Sequence, residues 1–248
     1  MKTLGFQSMT LVPGSYLFAG PEMIGKKTYA LELAHDIADA SDIVLVDSPL
    51  IDAIRDVKQF LSLTPFAGTA KIAIIDHAEK LTEDAQNALL KMLEEPNRSS
   101  ICILVTSSPD SLLPTILSRC QQFFFPAHGR KVYDEFFATT KLSKAQQDFL
   151  YEFSNGSIGL LYNLDYQKIK AYAEEFTKLS QADISQRFTA AQQLAEDESL
   201  PQKILFWMLY LRTKKLYKPL RGLLELYNTI SKPQFGKQLA LEQFMLEL

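Results

Sequence analysis

The sequence predicts an α/β protein in which a five-stranded parallel sheet with crossover helices is followed by a small helical part and then by an all-helical C-terminal part. Three observations predict it. Short apolar runs of strand length alternate with longer amphipathic stretches as far as Pro126, the pattern of buried parallel strands joined by helices. The first run leads directly into a glycine-spaced turn, Gly20-x4-Gly25-Lys26, that opens a helix. Beyond Pro126 the periodicity is helical throughout. The expected division is 1–126, 127–165 and 166–248.

Strand 15–19 (SYLFA) stops at Gly20-Pro21, and the helix after the turn carries Leu31, Leu33, Ala34, Ile37 and Ala38 on one face. Strand 43–47 (IVLVD) and helix 52–63, with Ile54, Val57 and Leu61 facing inward, come next, then a turn at 64–68. Residues 71–120 organise the rest. Strand 72–76 ends in Asp76, and helix 83–95 has Thr82 as N-cap, Glu83 and Asp84 at its positive end and Pro96 as its stop. Leu81, Ala85, Ala88, Leu89 and Met92 form its apolar stripe; Gln86, Asn87, Lys91, Glu94 and Glu95 are read as a solvated or partner-facing side. Strand 99–106, a short helix at 112–117 and strand 121–125 complete the sheet. Helices at 132–139 and 144–154 and one after Gly159 make the small helical part. In the last part, 200–211 is apolar almost all round, which suggests burial by a second subunit. Leu241, Phe244, Met245 and Leu248 share one side of the final helix, and Arg212, Lys214, Lys215, Lys218 and Arg221 are read as a solvated basic face.

Lys and Arg total 26 against 29 Asp and Glu, a net charge of -3, which argues against a stand-alone nucleic-acid binder. Cys102 and Cys120 are the two cysteines and have no metal-ligand spacing, so no metal is expected and a reducing compartment fits. No signal-peptide core and no apolar run long enough to span a membrane is found, and a cytoplasmic protein is expected.

The loop Gly20–Gly25 has the form of a phosphate cradle, in which backbone N–H groups and the helix N-terminus meet phosphate oxygens and Lys26 reaches the terminal phosphates. A full motif needs Ser or Thr immediately after that lysine to hold Mg²⁺. Here Lys27 stands there, an ammonium that repels a divalent cation, and Thr28 comes about 100° round the helix. The loop is therefore expected to be degenerate, with ATP or ADP binding left open. Asp76 stands where a P-loop ATPase places its Mg²⁺-positioning acid, but His77 follows in place of a Glu that would polarise water. Glu79 is expected to point into the next helix. Thr106 and Ser107 at a strand end can contact a γ-phosphate or cap the following turn. Arg119, just past a short helix, is either solvated, paired internally, or offered to a neighbouring subunit.

The run Asp76, Leu81-Thr82, Gln86-Asn87-Ala88-Leu89-Leu90-Lys91-Met92-Leu93-Glu94-Glu95-Pro96 and Ser118-Arg119-Cys120 closely resembles bacterial clamp-loader AAA+ proteins, and among them the δ′ branch of DNA polymerase III. The resemblance is strong over 15–125, fair to 165 and thin beyond. It implies an AAA+ P-loop domain, a small helical lid and a helical collar in a five-membered ring with γ/τ and δ subunits. Such a ring uses ATP to place a sliding clamp on primed DNA. ATP-hydrolysing γ/τ members carry Ser/Thr after the loop lysine, Glu after the strand-end Asp, and Arg after the lid Gly-Ser. Lys27, His77 and Ile158-Gly159 replace all three, so the resemblance implies lost hydrolysis. Arg119 matches the family's arginine finger, which acts in trans on a neighbour's ATP. The chain departs from the δ′ branch in lacking a zinc insert between 29 and 71 and in its short collar, 166–248. Three other readings compete: a self-sufficient γ/τ-type ATPase, a P-loop small-molecule kinase (for which 127–165 offers only Arg130 as a lid arginine), and a scaffold with an inert Arg119.

Overall fold

The computed structural model describes residues 6, 9–47, 50–162, 166–230 and 236–248; part of the N-terminal stretch read for a leader (1–5, 7 and 8) and part of the all-helical reading (231–235) lie outside them. The described chain falls into two compact units, one running up to Phe136 and including Gly156–Gly159, the other comprising Phe137–Asn155 and Leu160–Leu248.

In the first unit, β1 (Gly14–Ala19), β2 (Ile43–Val46), β3 (Lys71–Ile75), β4 (Ser100–Thr106) and β5 (Gln121–Phe124) form one parallel sheet in the order β2-β3-β4-β1-β5. Helices α1 (Lys26–Ile37), α2 (Ile51–Ser62), α3 (Glu83–Glu94) and the short α4 (Pro114–Leu117) make the crossovers. Alternate strand residues feed opposite faces. Phe18, Ile72, Ile74, Ile101 and Ile103 pack under Tyr29, Ala30, Leu33 and Ala34 of α1. Leu17, Ala73, Ile75, Cys102 and Leu104 pack under α2, α3 and α4 through Ile54, Val57, Leu61, Leu89, Leu93 and Ile116. With both faces covered, the strands read as continuous apolar runs rather than as alternations. The crossovers place the C-terminal ends of β1 to β4 at one edge, the edge where open α/β sheets hold ligands.

The first helix begins at Lys26 and buries Tyr29 and Ala30, which the expected stripe omits; Leu31 and Ile37 are only partly buried. Thr82 caps α3 as expected, its hydroxyl accepting from Ala85 N–H at 3.3 Å. Gln86 belongs to the buried side of α3 and not to its polar side. One buried charge pair supports the sheet from its other edge. The register Ile43 to Ile72 sets Asp42 opposite Lys71, whose ammonium lies 2.9 Å from the carboxylate. Asp42 also accepts the N–H groups of Phe66, Ala67 and Gly68, and these backbone bonds, ahead of Lys71, hold its carboxyl far below the usual range.

The second unit is helical, with α6 (Lys144–Ser154), α8 (Tyr166–Gln181), α9 (Ile184–Ala195), α10 (Leu200–Thr213), α11 (Tyr217–Ile230) and α12 (Lys237–Glu247); α5 (Arg130–Phe137) and α7 (Gly159–Tyr162) straddle the two. Leu241, Phe244 and Met245 of α12 enter its core as the pattern predicts. The apolar α10 buries Leu200, Ile204, Phe206, Trp207 and Leu211 within this unit and leaves Leu205, Met208 and Leu209 partly exposed. Trp207 is fully buried and donates to Tyr172 O at 3.0 Å, while Phe206 stacks between Phe153 and Tyr172. Arg212 is not a solvated charge; it donates to Phe153 O at 2.8 Å, and burial lowers its pKa. No helix among the described residues is long and apolar enough to cross a membrane.

Candidate functional site

The phosphate-type loop turns at Gly20, where only a glycine fits: φ is +152° and an added Cβ would lie 2.3 Å from Phe125 O. Gly25, also in the left-handed region at φ 94°, starts α1. Between them the chain satisfies its own loop. Lys26 is buried and donates from Nζ to Gly20 O at 2.6 Å and Pro21 O at 2.5 Å. Gly159 N donates to Met23 O at 2.7 Å, and His128 Nε2 approaches Ile24 O at 2.7 Å. Gly159, which stands in the lid segment without an arginine, admits no side chain, since its Cβ would lie 2.5 Å from Met23 O. Burial lowers the Lys26 pKa against the opposing fields of Glu79, Asp76 and Glu22.

Lys27 is the decisive neighbour. Its ammonium lies 2.8 Å from Asp47 Oδ1 and 3.0 Å from Asp76 Oδ2, and the Asp47 bond, ahead of Asp76, raises its pKa against partial burial. Asp76 sits at the end of β3 with its side chain only 10% exposed, and its other oxygen accepts His77 N–H at 3.0 Å. A monovalent cation of the protein's own therefore sits on Asp76, the carboxylate that stands where a P-loop ATPase positions Mg²⁺. The donor set does not fit that metal. Thr28, the displaced hydroxyl, is exposed and joins none of this.

Glu79 does not point into the following helix. It turns into the site because His77 adopts a left-handed conformation, φ 51°, that swings the next turn toward β4. Its Oε2 accepts Thr106 Oγ1 at 2.8 Å and Ser107 N at 3.2 Å, and its Oε1 lies 3.2 Å from His77 Nδ1. Burial pushes its pKa up, but its own backbone N–H, Thr106, His77 and Ser107 outweigh that and leave it lowered. The two hydroxyl residues expected at a γ-phosphate are thus turned to a carboxylate of the same chain. Thr106 also accepts Ser108 N at 3.1 Å, which caps the turn. Glu22, His77 and Glu79 each bring one atom within 4.8 Å of the others. Glu79 is already committed to Thr106 and Ser107.

Arg119 lies apart from these contacts. Its Nη1 donates to Thr115 O at 3.0 Å, its Nη2 lies 3.3 Å from Glu94 Oε2, and its side chain is 30% exposed. Gln86 fixes the segment that carries it: Nε2 donates to Leu81 O and Ser111 O, and Oε1 accepts Leu113 N at 2.7 Å, immediately before α4. Cys120 beside it is buried, and that burial pushes its thiol up to about 12, so it is packing and not chemistry.

Sequence reasoning missed Asp47 and Gln86. Asp47 had a signal: β2 and β3 both end in an aspartate, and they are neighbours in the sheet. Gln86 had none, because a buried glutamine on a helix looks like a solvated one until its partners are seen.

Comparison with known proteins fits this geometry. Residues 42–128 match the family described as DNA polymerase III, delta subunit. Curated relatives include the DNA polymerase III subunit delta' of Pseudomonas aeruginosa, 32% identical over 160 residues (63% of this chain, 48% of that one). The tau subunit of Bacillus subtilis is 35% identical over 136 residues (45% and 24%). In sequence the chain is similar to bacterial clamp-loader proteins of DNA polymerase III. These matches span only 24% to 48% of the relatives' own length. The fold is also that of a DNA polymerase III gamma subunit-related protein from Thermotoga maritima, with a TM-score of 0.60, 22% identity, and 95% and 94% of the two chains covered.

Proposed function

We propose that the chain is a non-hydrolysing, δ′-like subunit of the DNA polymerase III clamp loader. In this reading it is a stator that binds no Mg-nucleotide of its own and completes the active site of an adjacent γ/τ-type ATPase with Arg119. The observation that carries it is the Lys27 ammonium held between Asp47 and Asp76. Hydrolysis by a P-loop protein requires a divalent cation bridging the terminal phosphates, and a lysine anchored at two carboxylates excludes one. Two further features support the same reading. Lys26 is spent on loop carbonyls, and the hydroxyl and amide at the end of β4 are spent on Glu79. His77 stands where water would be polarised, and Gly159 where a lid arginine would reach in.

What such a subunit retains is a cation for someone else's phosphates. Arg119 sits partly exposed beyond the sheet, able to stabilise the charge that develops in phosphoryl transfer at a neighbouring site. On this proposal 1–126 is the AAA+ core, 127–165 the lid and 166–248 the collar, in a cytoplasmic five-membered ring with γ/τ and δ subunits acting on a sliding clamp and primed DNA. Exposed Leu224, Leu239 and Leu246 on the last two helices offer apolar area for such assembly.

The test is ATP hydrolysis by the purified chain alone, and then mixed with γ/τ, δ, clamp and primed DNA, with and without Arg119→Ala. Silence alone, together with complex turnover that falls on Arg119→Ala, is expected. Turnover by the isolated chain that Lys26→Ala abolishes would overturn the proposal in favour of a self-sufficient ATPase.

A further inference from the structure

Arg119 is placed by α3 as much as by its own short helix. Glu94 lies in the last turn of α3, where the helix's partial negative charge makes a carboxylate unfavourable unless a cation is near. Lys91 lies in the same turn, and the Arg119 guanidinium is the cation that reaches the Glu94 carboxylate itself. The contact is a loose one: the closest approach is 3.3 Å, longer than a charge-assisted hydrogen bond, and the Glu94 side chain is 58% exposed. Thr115 O takes a second nitrogen at 3.0 Å, and the third, Nε, is buried with no hydrogen-bond partner among the described residues. A guanidinium has five donors in a rigid fork suited to bidentate capture of carboxylate or phosphate. Here that fork is only partly used, at a surface.

We propose that Glu94 is the positioning residue for Arg119, fixing where the guanidinium waits and yielding it to the phosphates of a nucleotide on an adjacent subunit. The proposal rests on the reading of Arg119 as acting in trans. Glu94 is suited to both halves of the task. One negative charge at a solvent-facing edge orients the arginine without binding it tightly, because exposed ion pairs are weak. A phosphate group offers more charge and bidentate geometry, and moving toward it frees Nε to make the bond it lacks. Gln86, two turns earlier on α3, clamps Ser111 and Leu113, so the same helix fixes the base of the arginine and its resting place.

The experiment uses the reconstituted complex with clamp and primed DNA, and measures kcat and KM for ATP in four forms: Glu94→Gln, Glu94→Asp, Arg119→Ala, and Glu94→Gln with Arg119→Ala. Glu94→Gln is expected to lower kcat roughly threefold to fivefold with KM unchanged, the scale of one exposed ion pair. Glu94→Asp should restore part of that loss. In the Arg119→Ala background the Glu94→Gln effect should vanish, because Glu94 acts only through the arginine. The proposal is overturned if Glu94→Gln leaves turnover unchanged while Arg119→Ala lowers it, or if Glu94→Gln costs the same in both backgrounds. If Arg119→Ala itself changes nothing, the trans role of the arginine fails and the positioning role falls with it. Circular dichroism of each variant chain separates these outcomes from misfolding, which substitution at an exposed helix end should not cause.

Discussion

The loop end of the sheet and the Arg119 corner are both built from charged side chains, but they use charge in opposite ways. At the loop, each charge described has found a partner in the same chain. Lys26 meets Gly20 and Pro21 carbonyls, Lys27 meets Asp47 and Asp76, and Glu79 meets Thr106 and Ser107. At Arg119 the ion pair is long, partly exposed and leaves one N–H unmade. A P-loop whose charges are satisfied internally gains little from a ligand, because the ligand must first displace bonds already made. An arginine with unused donors gains from any phosphate brought to it. The contrast teaches that the two regions differ in how much binding capacity they leave unused, and on the proposed reading it is the arginine corner that serves a neighbouring subunit.

The sharpest way to break the loop side is Gly20→Ala. The added Cβ would meet the Phe125 carbonyl at 2.3 Å, and backbone cannot yield as a side-chain tip can. A loss of about 3 kcal/mol is expected from strain of this kind, read by urea denaturation. An unchanged midpoint would mean that the loop is not held against β5 as described.

On the arginine side the matching variant is Gln86→Ala. It leaves the Leu113 N–H and the Leu81 and Ser111 carbonyls without their side-chain partner. One buried group left unsatisfied costs about 1–3 kcal/mol, so a loss near 2 kcal/mol is expected. Gln86→Glu should do similar harm while keeping the shape, since a carboxylate cannot donate to the two carbonyls. If both variants keep wild-type stability, Gln86 is a passenger and Arg119 is mounted by α4 alone.

How much of this contrast could be read in the sequence follows from where the determining contacts lie. The sheet was legible because buried parallel strands and amphipathic crossovers leave local patterns, and each of the five strands falls within a residue of its expected bounds. Lys27 was legible as a misfit because the phosphate-loop spacing is rigid. Its two partners were not both legible: Asp76 stands out by position, whereas Asp47 matters only because β2 and β3 are adjacent and end level with each other. Glu79 was misread because its direction depends on one left-handed residue, His77, and a positive φ at histidine leaves no mark in the sequence. The neighbours that α10 finds inside its own unit were not legible for a related reason. Apolarity all round a helix reports how many neighbours it has but not to which chain they belong.

A smaller effect with greater diagnostic value comes from Lys27→Thr, which replaces the ammonium by the hydroxyl the full motif carries. The ion pair is partly exposed at the lysine, so the stability lost should not exceed about 1 kcal/mol. The informative readout is a change of ligand response. Mg-ADP should raise the melting temperature of Lys27→Thr and leave that of the unaltered chain unmoved. Equal shifts in both would mean that Lys27 does not exclude nucleotide, and the contrast between the two regions would be lost.

The finest test concerns Glu79, whose pKa is held below the ordinary carboxylate value. A group depressed in the folded state contributes stability that is fully present above its unfolded pKa, about 4.3 for glutamate, and is lost as pH falls through the lower folded value. The unaltered chain should therefore lose part of its stability below about pH 4 in a way that Glu79→Gln, which cannot titrate, does not. At neutral pH the glutamine can still accept from Thr106 and Ser107 through its amide oxygen, so the two proteins should differ little there. Melting temperatures taken from pH 3 to 7 decide the point. Parallel profiles would show that Glu79 gains nothing from being charged, and that the hydroxyl and amide at the end of β4 are not spent on it.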